Sequence, residues 1–172
     1  RAKKGMDRLD LFLRDPRVRV VKDDGRRRLA TDAQKYDIIE ADALYPDSGL
    51  AGNLYSVEFF TIASRALKPA GIMLTWAPTA RTQTSAQRAF RHAIKMDTML
   101  VLSNEPIAIE PEVWKARLNS EAAREYLGDR QMGPILRAFD AAIRPEPVDP
   151  AHEFNEDLQP RDEFVRPRKR RR

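Results

Sequence analysis

The sequence predicts an α/β fold with a mostly parallel sheet, and three consecutive stretches support this prediction. Residues 36–41, YDIIEA, are mostly apolar and β-favouring, as in a strand that is buried on both faces. Residues 55–67 carry apolar side chains at helical spacing, and the KPAG segment at 68–71 ends that helix. Residues 72–76 form a second apolar run. Strand, helix and strand make a βαβ unit, which places its two strands parallel in one sheet.

Three further elements are predicted before this unit. Residues 1–15 have an apolar face that includes Leu9 and Leu13, which is typical of an amphipathic helix. Residues 17–21, RVRVV, alternate as a short strand does. Residues 22–26, KDDGR, then form a turn at the carboxyl end of that strand, and a short helix is expected from 27 to 32.

The second half of the chain adds a hairpin and helices. A helix is expected at 85–91, and the stretches 92–96 and 99–103 are expected to pair as an antiparallel hairpin. Helical patterns that would cover the sheet lie at 112–118, 120–127 and 132–143. These features predict a folded domain in residues 1–143, an extended proline-rich segment in 144–165 and a disordered basic tail in 166–172.

The composition of the 172 residues excludes several classes of protein. No apolar run approaches the roughly 20 residues that cross a bilayer, and the first residues given show no signal-peptide pattern. The chain has no cysteine and only two well-separated histidines, so we expect a cytoplasmic protein without a metal site. Residues 161–172 hold seven Lys or Arg and two acids, which accounts for the whole net charge of +5. The domain itself therefore has no basic stripe for nucleic acid.

Two carboxylates follow predicted strands and are the candidate site. Asp24 and Asp42 each lie at a strand's carboxyl end, where ligands bind in open α/β sheets. A carboxylate there accepts hydrogen bonds from amino or hydroxyl groups and can take a proton from an incoming nucleophile. The alternative is that each aspartate only caps a helix or forms a turn. Tyr45, Tyr55 and Trp76 either line a pocket or belong to the core. The sequence contains no GxGxxG, P-loop or nucleophile-elbow pattern.

Four stretches, taken in order, resemble the spermidine synthase family, the polyamine aminopropyltransferases. They are DPRVRVVKDDGRRRL at 15–29, YDIIEAD at 36–42, LYSVEFFTIASRALKPAGIML at 54–74 and NEDLQPRDEF at 155–164. The last is similar to a signature of members that are fused to membrane segments. The resemblance implies a partial Rossmann-like class I methyltransferase fold, with a mostly parallel sheet, a C-terminal antiparallel hairpin and flanking helices.

The resemblance also implies roles for four residues. Asp24 would accept a hydrogen bond from the adenine amino group of decarboxylated S-adenosylmethionine, and Gly25 would let the backbone approach this nucleoside. Asp42 would be the general base, and Asp42 and Tyr45 would bind the amine. The nucleoside is a co-substrate, so no tightly bound cofactor is expected. A homodimer and a longer, membrane-anchored parent would also fit the family.

Departures from the family pattern bear on the substrate and on activity. Tyr45 stands where the family commonly has a second carboxylate, so the standard diamine is not the expected acceptor. The family's glycine-rich first strand, ribose-binding acid and upstream substrate tyrosine would precede Arg1, which predicts an N-terminally truncated, inactive or very weak enzyme. Two alternatives stay open: a methyltransferase-like enzyme that uses S-adenosylmethionine itself, and a degenerate, non-catalytic domain retained for assembly.

Overall fold

The structure, a computed structural model, contains one four-stranded sheet with flanking helices. It describes residues 9–42, 44–96, 98–108, 110–128, 132–137 and 152–164. The strands are β1 (Tyr36–Ala41), β2 (Leu67–Trp76), β3 (His92–Met96) and β4 (Met99–Ser103), in the order β1-β2-β4-β3. β1 and β2 are parallel, whereas β4 is antiparallel to both β2 and β3. The predicted α/β class, the parallel pair and the hairpin are therefore confirmed.

Side-chain caps mark the start of four of the five helices that are given labels here, and the fourth helix, which has none, begins at Pro111. The helices are α1 (Gly25–Thr31), α2 (Val57–Ala66), α3 (Ala80–Ala89), α4 (Pro111–Leu118) and α5 (Glu121–Leu127), and residues 9–14 and 132–137 are also helical. The hydroxyls of Ser56 and Thr79 accept from backbone N–H groups in the first turns of α2 and α3. Because Thr79 caps it, α3 begins five residues before the predicted helix at 85–91. α2 lies between β1 and β2, as the predicted βαβ unit requires.

The hydrophobic core lies between one face of the sheet and the helices α2 and α3. Ile39, Met73 and Leu102 lie in one register row across β1, β2 and β4, and each is buried. From α2, Phe59 and Phe60 pack into the same cluster. Burying an aromatic or large aliphatic side chain contributes about 1.5–3 kcal/mol, so this row and α2 hold the ends of β1 and β2 in fixed positions.

Three expectations from the sequence are wrong. Residues 17–21 form no strand, because no other strand among the described residues lies beside them to accept their hydrogen bonds. β1 is not buried on both faces: it is an edge of the described sheet, and Ile38 is 60% exposed. α4 and α5 contain no buried residue, so they do not cover the sheet.

The C-terminal residues 152–164 return to the body of the fold. The backbone N–H of Val57 donates to the Asn155 carbonyl at 3.0 Å, and the Arg88 guanidinium lies 3.8 Å from the centre of the Phe154 ring. Of the extended segment predicted at 144–165, residues 144–151 and 165 lie outside the described residues, as do the tail at 166–172 and the end of the helix predicted at 132–143. Within the described part of the chain, no helix combines the length and the apolar character that crossing a membrane requires.

Candidate functional site

Asp42 lies where two clefts meet. It follows the last residue of β1, Ala41, whose register partner on β2 is Thr75, so Asp42 lies beside the carboxyl end of both parallel strands. Its side chain is exposed. One cleft, of about 590 Å³, contains Gly25 and Asp42, and the other, of about 340 Å³, contains Asp42, Tyr45 and Trp76. Of the four residues predicted for the site, Asp42 therefore lies on both clefts, Gly25 and Tyr45 each lie on one, and Asp24 lines neither.

The larger cleft runs along the start of α1 and the outer edge of β1. Its walls include the exposed apolar side chain of Ile38, the cationic side chain of Arg26 and the carboxylates of Glu40 and Asp42. A Cβ atom at Gly25 would meet no heavy atom within 4 Å, so the backbone at Gly25 faces open space. Gly25 does not have the positive φ that a tight turn would require, because it begins α1. This cleft has room for a planar ring against an apolar wall.

Asp24 is the N-cap of α1. One of its carboxylate oxygens accepts from the backbone N–H of Arg27 at 2.9 Å. A carboxylate at a helix N-terminus satisfies an otherwise unpaired N–H group and complements the helix dipole. The capping role that the sequence left open is therefore present, and the binding of an adenine amino group by Asp24 stays a prediction.

The smaller cleft combines one carboxylate with apolar and aromatic side chains. The Tyr45 and Trp76 rings are T-shaped, with centroids 4.9 Å apart and an interplanar angle of 85°. Leu44 is the other described residue that lines this cleft, and both Leu44 and Tyr45 are about two-thirds exposed, at 65% and 67%. The described residues contain no group of three His, Asp or Glu side chains that would hold a metal ion.

Tyr55 holds the loop that follows Asp42. From the sequence, this residue could either line a pocket or belong to the core. Its ring is fully buried in the core, and its hydroxyl donates to the Leu44 carbonyl at 2.6 Å. Burial, with a smaller contribution from the Asp42 carboxylate, raises the pKa of Tyr55 from 10.0 to about 12. Further along the loop, the Ser48 N–H donates to the Tyr45 carbonyl at 2.8 Å. The backbone on both sides of Tyr45 is thus fixed by hydrogen bonds.

Replacing Tyr55 by phenylalanine should lower the free energy of unfolding by about 1 kcal/mol at pH 7, because the Leu44 carbonyl loses its donor. The folded state keeps the Tyr55 proton to a higher pH than the unfolded state does. The contribution of this hydroxyl is therefore complete below pH 10 and is lost as the pH rises through 12. Denaturant unfolding of the unmodified protein and of Tyr55→Phe should show a difference in the free energy of unfolding that narrows as the pH rises from 10 to 12.

Tyr126→Phe is the matched control for this experiment, because Tyr126 is 79% exposed. It should leave the stability nearly unchanged at every pH. A Tyr55→Phe difference that stays constant from pH 9 to 12 would contradict the assigned hydrogen bond.

Arg26 links the start of α1 to the C-terminal residues. Its guanidinium donates to both carboxylate oxygens of Asp157, at 2.7 and 2.5 Å, and to the Asn53 carbonyl at 2.6 Å. These hydrogen bonds hold the pKa of Asp157 below its usual value. Because Arg26 follows Gly25 and lines the larger cleft, residues 152–164 support one wall of that cleft.

A buried polar cluster anchors residues 152–164 on α3. Both Asn155 and Asp162 are buried, and the Asn155 amide donates to an Asp162 carboxylate oxygen at 2.9 Å. The same oxygen accepts from the hydroxyls of Thr79 and Thr82, at 2.6 and 3.2 Å, and Arg81 donates to the other oxygen at 3.3 Å. None of these contacts was predicted from the sequence. Asn155 and Asp162 both lie in the NEDLQPRDEF stretch, and the similarity of this stretch to a family signature was the indication that it belongs to the folded domain.

Comparison with known proteins gives a consistent set of similarities. The family model described as "Spermine/spermidine synthase domain" matches residues 1–116. A polyamine aminopropyltransferase from Mycobacterium tuberculosis (strain CDC 1551 / Oshkosh) is 41% identical over 68 residues, which are 38% of this chain and 13% of the relative. Polyamine aminopropyltransferase 1 from Streptomyces coelicolor is 42% identical over 59 residues, which are 34% of this chain and 11% of that relative. The matched stretches are a small part of either relative.

One solved structure is also similar. It is the crystal structure of a probable spermidine synthase from Corynebacterium glutamicum ATCC 13032, with a TM-score of 0.48 and 16% sequence identity. The match covers 87% of this chain and 63% of the other.

Proposed function

Because this chain belongs to the spermine/spermidine synthase family, we propose that it transfers an aminopropyl group from decarboxylated S-adenosylmethionine to an amine. The observation that carries the proposal is the position of Asp42 between two clefts of different character. The larger cleft is suited to the nucleoside and the smaller cleft to the amine. Asp42, on the wall between the clefts, would then lie close to both the amine nitrogen and the carbon beside the sulfonium.

The chemistry of the transfer needs a carboxylate at this point. An amine arrives as an ammonium ion, which the ionised Asp42 attracts and from which it accepts a proton. The freed nitrogen lone pair attacks the carbon beside the sulfonium, a C–N bond forms, and the C–S bond breaks. Its electron pair stays on sulfur, so the products are the aminopropylated amine and a neutral thioether nucleoside. Positioning of the two substrates supplies much of the rate.

The larger cleft also supports a second candidate. Three arginines, Arg19, Arg26 and Arg28, line it together with two carboxylates. Cationic side chains suit a nucleoside that keeps its carboxyl group, namely S-adenosylmethionine itself, and this favours methyl transfer. However, Arg26 is paired with Asp157, and Arg28 lies 3.4 Å from Asp32, so part of this positive charge is already neutralised. We therefore rank aminopropyl transfer first.

Calorimetric titration with S-adenosylmethionine and with decarboxylated S-adenosylmethionine separates the two candidate functions, because these nucleosides differ only in one carboxyl group. Aminopropyl transfer predicts tighter binding of decarboxylated S-adenosylmethionine, whose ammonium lacks a neighbouring negative charge and is attracted by Asp42 and Glu40. Tighter binding of S-adenosylmethionine would favour methyl transfer. Binding of neither at millimolar concentration would favour the non-catalytic alternative.

A variant of Asp24 tests the proposed nucleoside contact without unfolding α1. Serine caps helices about as well as aspartate, so Asp24→Ser should preserve the helix. It should weaken nucleoside binding, because a shorter neutral side chain replaces the acceptor for the adenine amino group. Unchanged affinity would show that Asp24 only caps.

A further inference from the structure

The smaller cleft has a charged end and an uncharged end. Asp42 is its only ionisable acid among the described lining residues, and the other three are Leu44, Tyr45 and Trp76. Its volume of about 340 Å³ falls within the range of about 300–1,000 Å³ that is usual for small-molecule sites. The cleft therefore offers one anchor for a cation and an apolar, aromatic surface for whatever is attached to that cation.

We propose that this cleft selects a monoamine with an alkyl or aromatic tail over a diamine, and that Tyr45 determines this selection. The proposal rests on the proposed function, because it takes the cleft as the acceptor site. It goes further by naming the class of acceptor.

The cationic end of the acceptor is held by charge. An ammonium beside Asp42 gains a charge-assisted hydrogen bond and can lie against the electron-rich faces of the nearby aromatic rings. Tyr45 and Trp76 are in contact with each other, with ring centroids 4.9 Å apart, so they present one continuous aromatic wall. Either kind of amine satisfies this end of the cleft equally well.

The other end distinguishes the two kinds of amine. A second ammonium would lie against Leu44 and the Tyr45 ring and lose part of its hydration there, where no described side chain supplies a negative charge. Desolvating an ion without a charged partner is unfavourable, and one neutral phenol hydroxyl compensates only in part. An alkyl or aryl tail instead covers Leu44 and Tyr45, which are about two-thirds exposed.

The loop holds Tyr45 in place before any amine arrives. The Leu44 carbonyl is bound by the buried Tyr55 hydroxyl, and the Tyr45 carbonyl is bound by the Ser48 N–H. Pro46, the next residue, is buried. A preformed loop keeps the entropy cost of binding low, and the contact with Trp76 places the Tyr45 ring on the wall of the cleft.

Butylamine and 1,4-diaminobutane form the matched pair for the test, because they differ only in the second ammonium. Calorimetric titration of the full 172-residue chain should show butylamine binding at least about tenfold more tightly, and 2-phenylethylamine more tightly still. Trp76 fluorescence gives a second readout. Since the chain has two tryptophans, Trp114→Phe leaves Trp76 as the only one.

Variants at position 45 test the role assigned to Tyr45. Tyr45→Asp should reverse the preference, so that the diamine binds more tightly than the monoamine. Asparagine has nearly the size of aspartate but no charge, so Tyr45→Asn should lose the preference for the monoamine without binding the diamine more tightly. Equal or tighter binding of the diamine by the unmodified chain would overturn the proposal, as would an Asp variant with an unchanged ratio, or no binding of any amine at millimolar concentration.

This test is distinct from a test of the proposed function. If the monoamines bind as expected but no aminopropyl group is transferred to them, the selectivity of the cleft stands and the transferase proposal fails. If transfer occurs and the diamine is the better acceptor, the transferase proposal stands and the selectivity fails.

Discussion

Asp42→Asn should lower the turnover of aminopropyl transfer by about 10²- to 10⁴-fold, the usual contribution of a general base. Asparagine has nearly the shape of aspartate, but it neither attracts an ammonium nor accepts its proton. Binding of the nucleoside should fall much less than turnover, because the larger cleft keeps Glu40 and its other walls. The measurement is the steady-state rate of formation of the thioether nucleoside, together with calorimetric titration of the nucleoside.

Asp47→Asn is the matched control, since Asp47 lies in the same loop, is exposed and lines neither cleft. It should retain full turnover. Retained turnover in Asp42→Asn would remove Asp42 from the mechanism. An equal loss in both variants would instead attribute the effect to the loop.

Asp162→Ala should lower the free energy of unfolding by about 3 kcal/mol or more, as is typical when one partner of a buried charged network is removed. The carboxylate is buried and accepts from Thr79, Thr82, Asn155 and Arg81. Without it, the Asn155 amide and two hydroxyls lose their acceptor. Chemical denaturation monitored by circular dichroism measures the change.

Leu158→Ala lies in the same C-terminal segment and is the control, because Leu158 is 95% exposed. It should change the stability by less than about 0.5 kcal/mol. Asp162→Ala should also weaken nucleoside binding. Loss of the Asp162 carboxylate frees residues 152–164, and Asp157 in this segment holds Arg26 on the wall of the larger cleft. A stable Asp162→Ala protein would contradict the structural role given to residues 152–164.

The parts of the fold that the sequence predicted best are those with a strong local pattern. The strand at Tyr36–Ala41, the helix after it and the hairpin of β3 and β4 all follow from the spacing of apolar residues and from turn residues. The position of Asp42 was predicted for the same reason, because a polar residue directly after a predicted strand has a defined place at the edge of the sheet.

What the sequence could not predict depends on contacts between distant residues. Arg26 and Asp157 are 131 positions apart, and neither lies in a pattern that indicates the other. Residues 17–21 alternate as a strand does, yet a strand also requires a neighbour, and periodicity does not report one. Likewise, the proline-rich surroundings of residues 152–164 predicted an extended segment, whereas the burial of Asn155 and Asp162 is visible only in the folded chain.

The most direct test of the central claim, that Asp42 joins a nucleoside cleft to an amine cleft, is a product analysis. The 172-residue chain, and any longer polypeptide in which it occurs, is incubated with decarboxylated S-adenosylmethionine and butylamine, and the products are identified by mass spectrometry. The account predicts aminopropylated butylamine and the thioether nucleoside in equal amounts, and neither product in quantity from Asp42→Asn. It would be contradicted if both substrates bound without either product forming, or if a parallel incubation with S-adenosylmethionine in place of the decarboxylated nucleoside gave methylated butylamine.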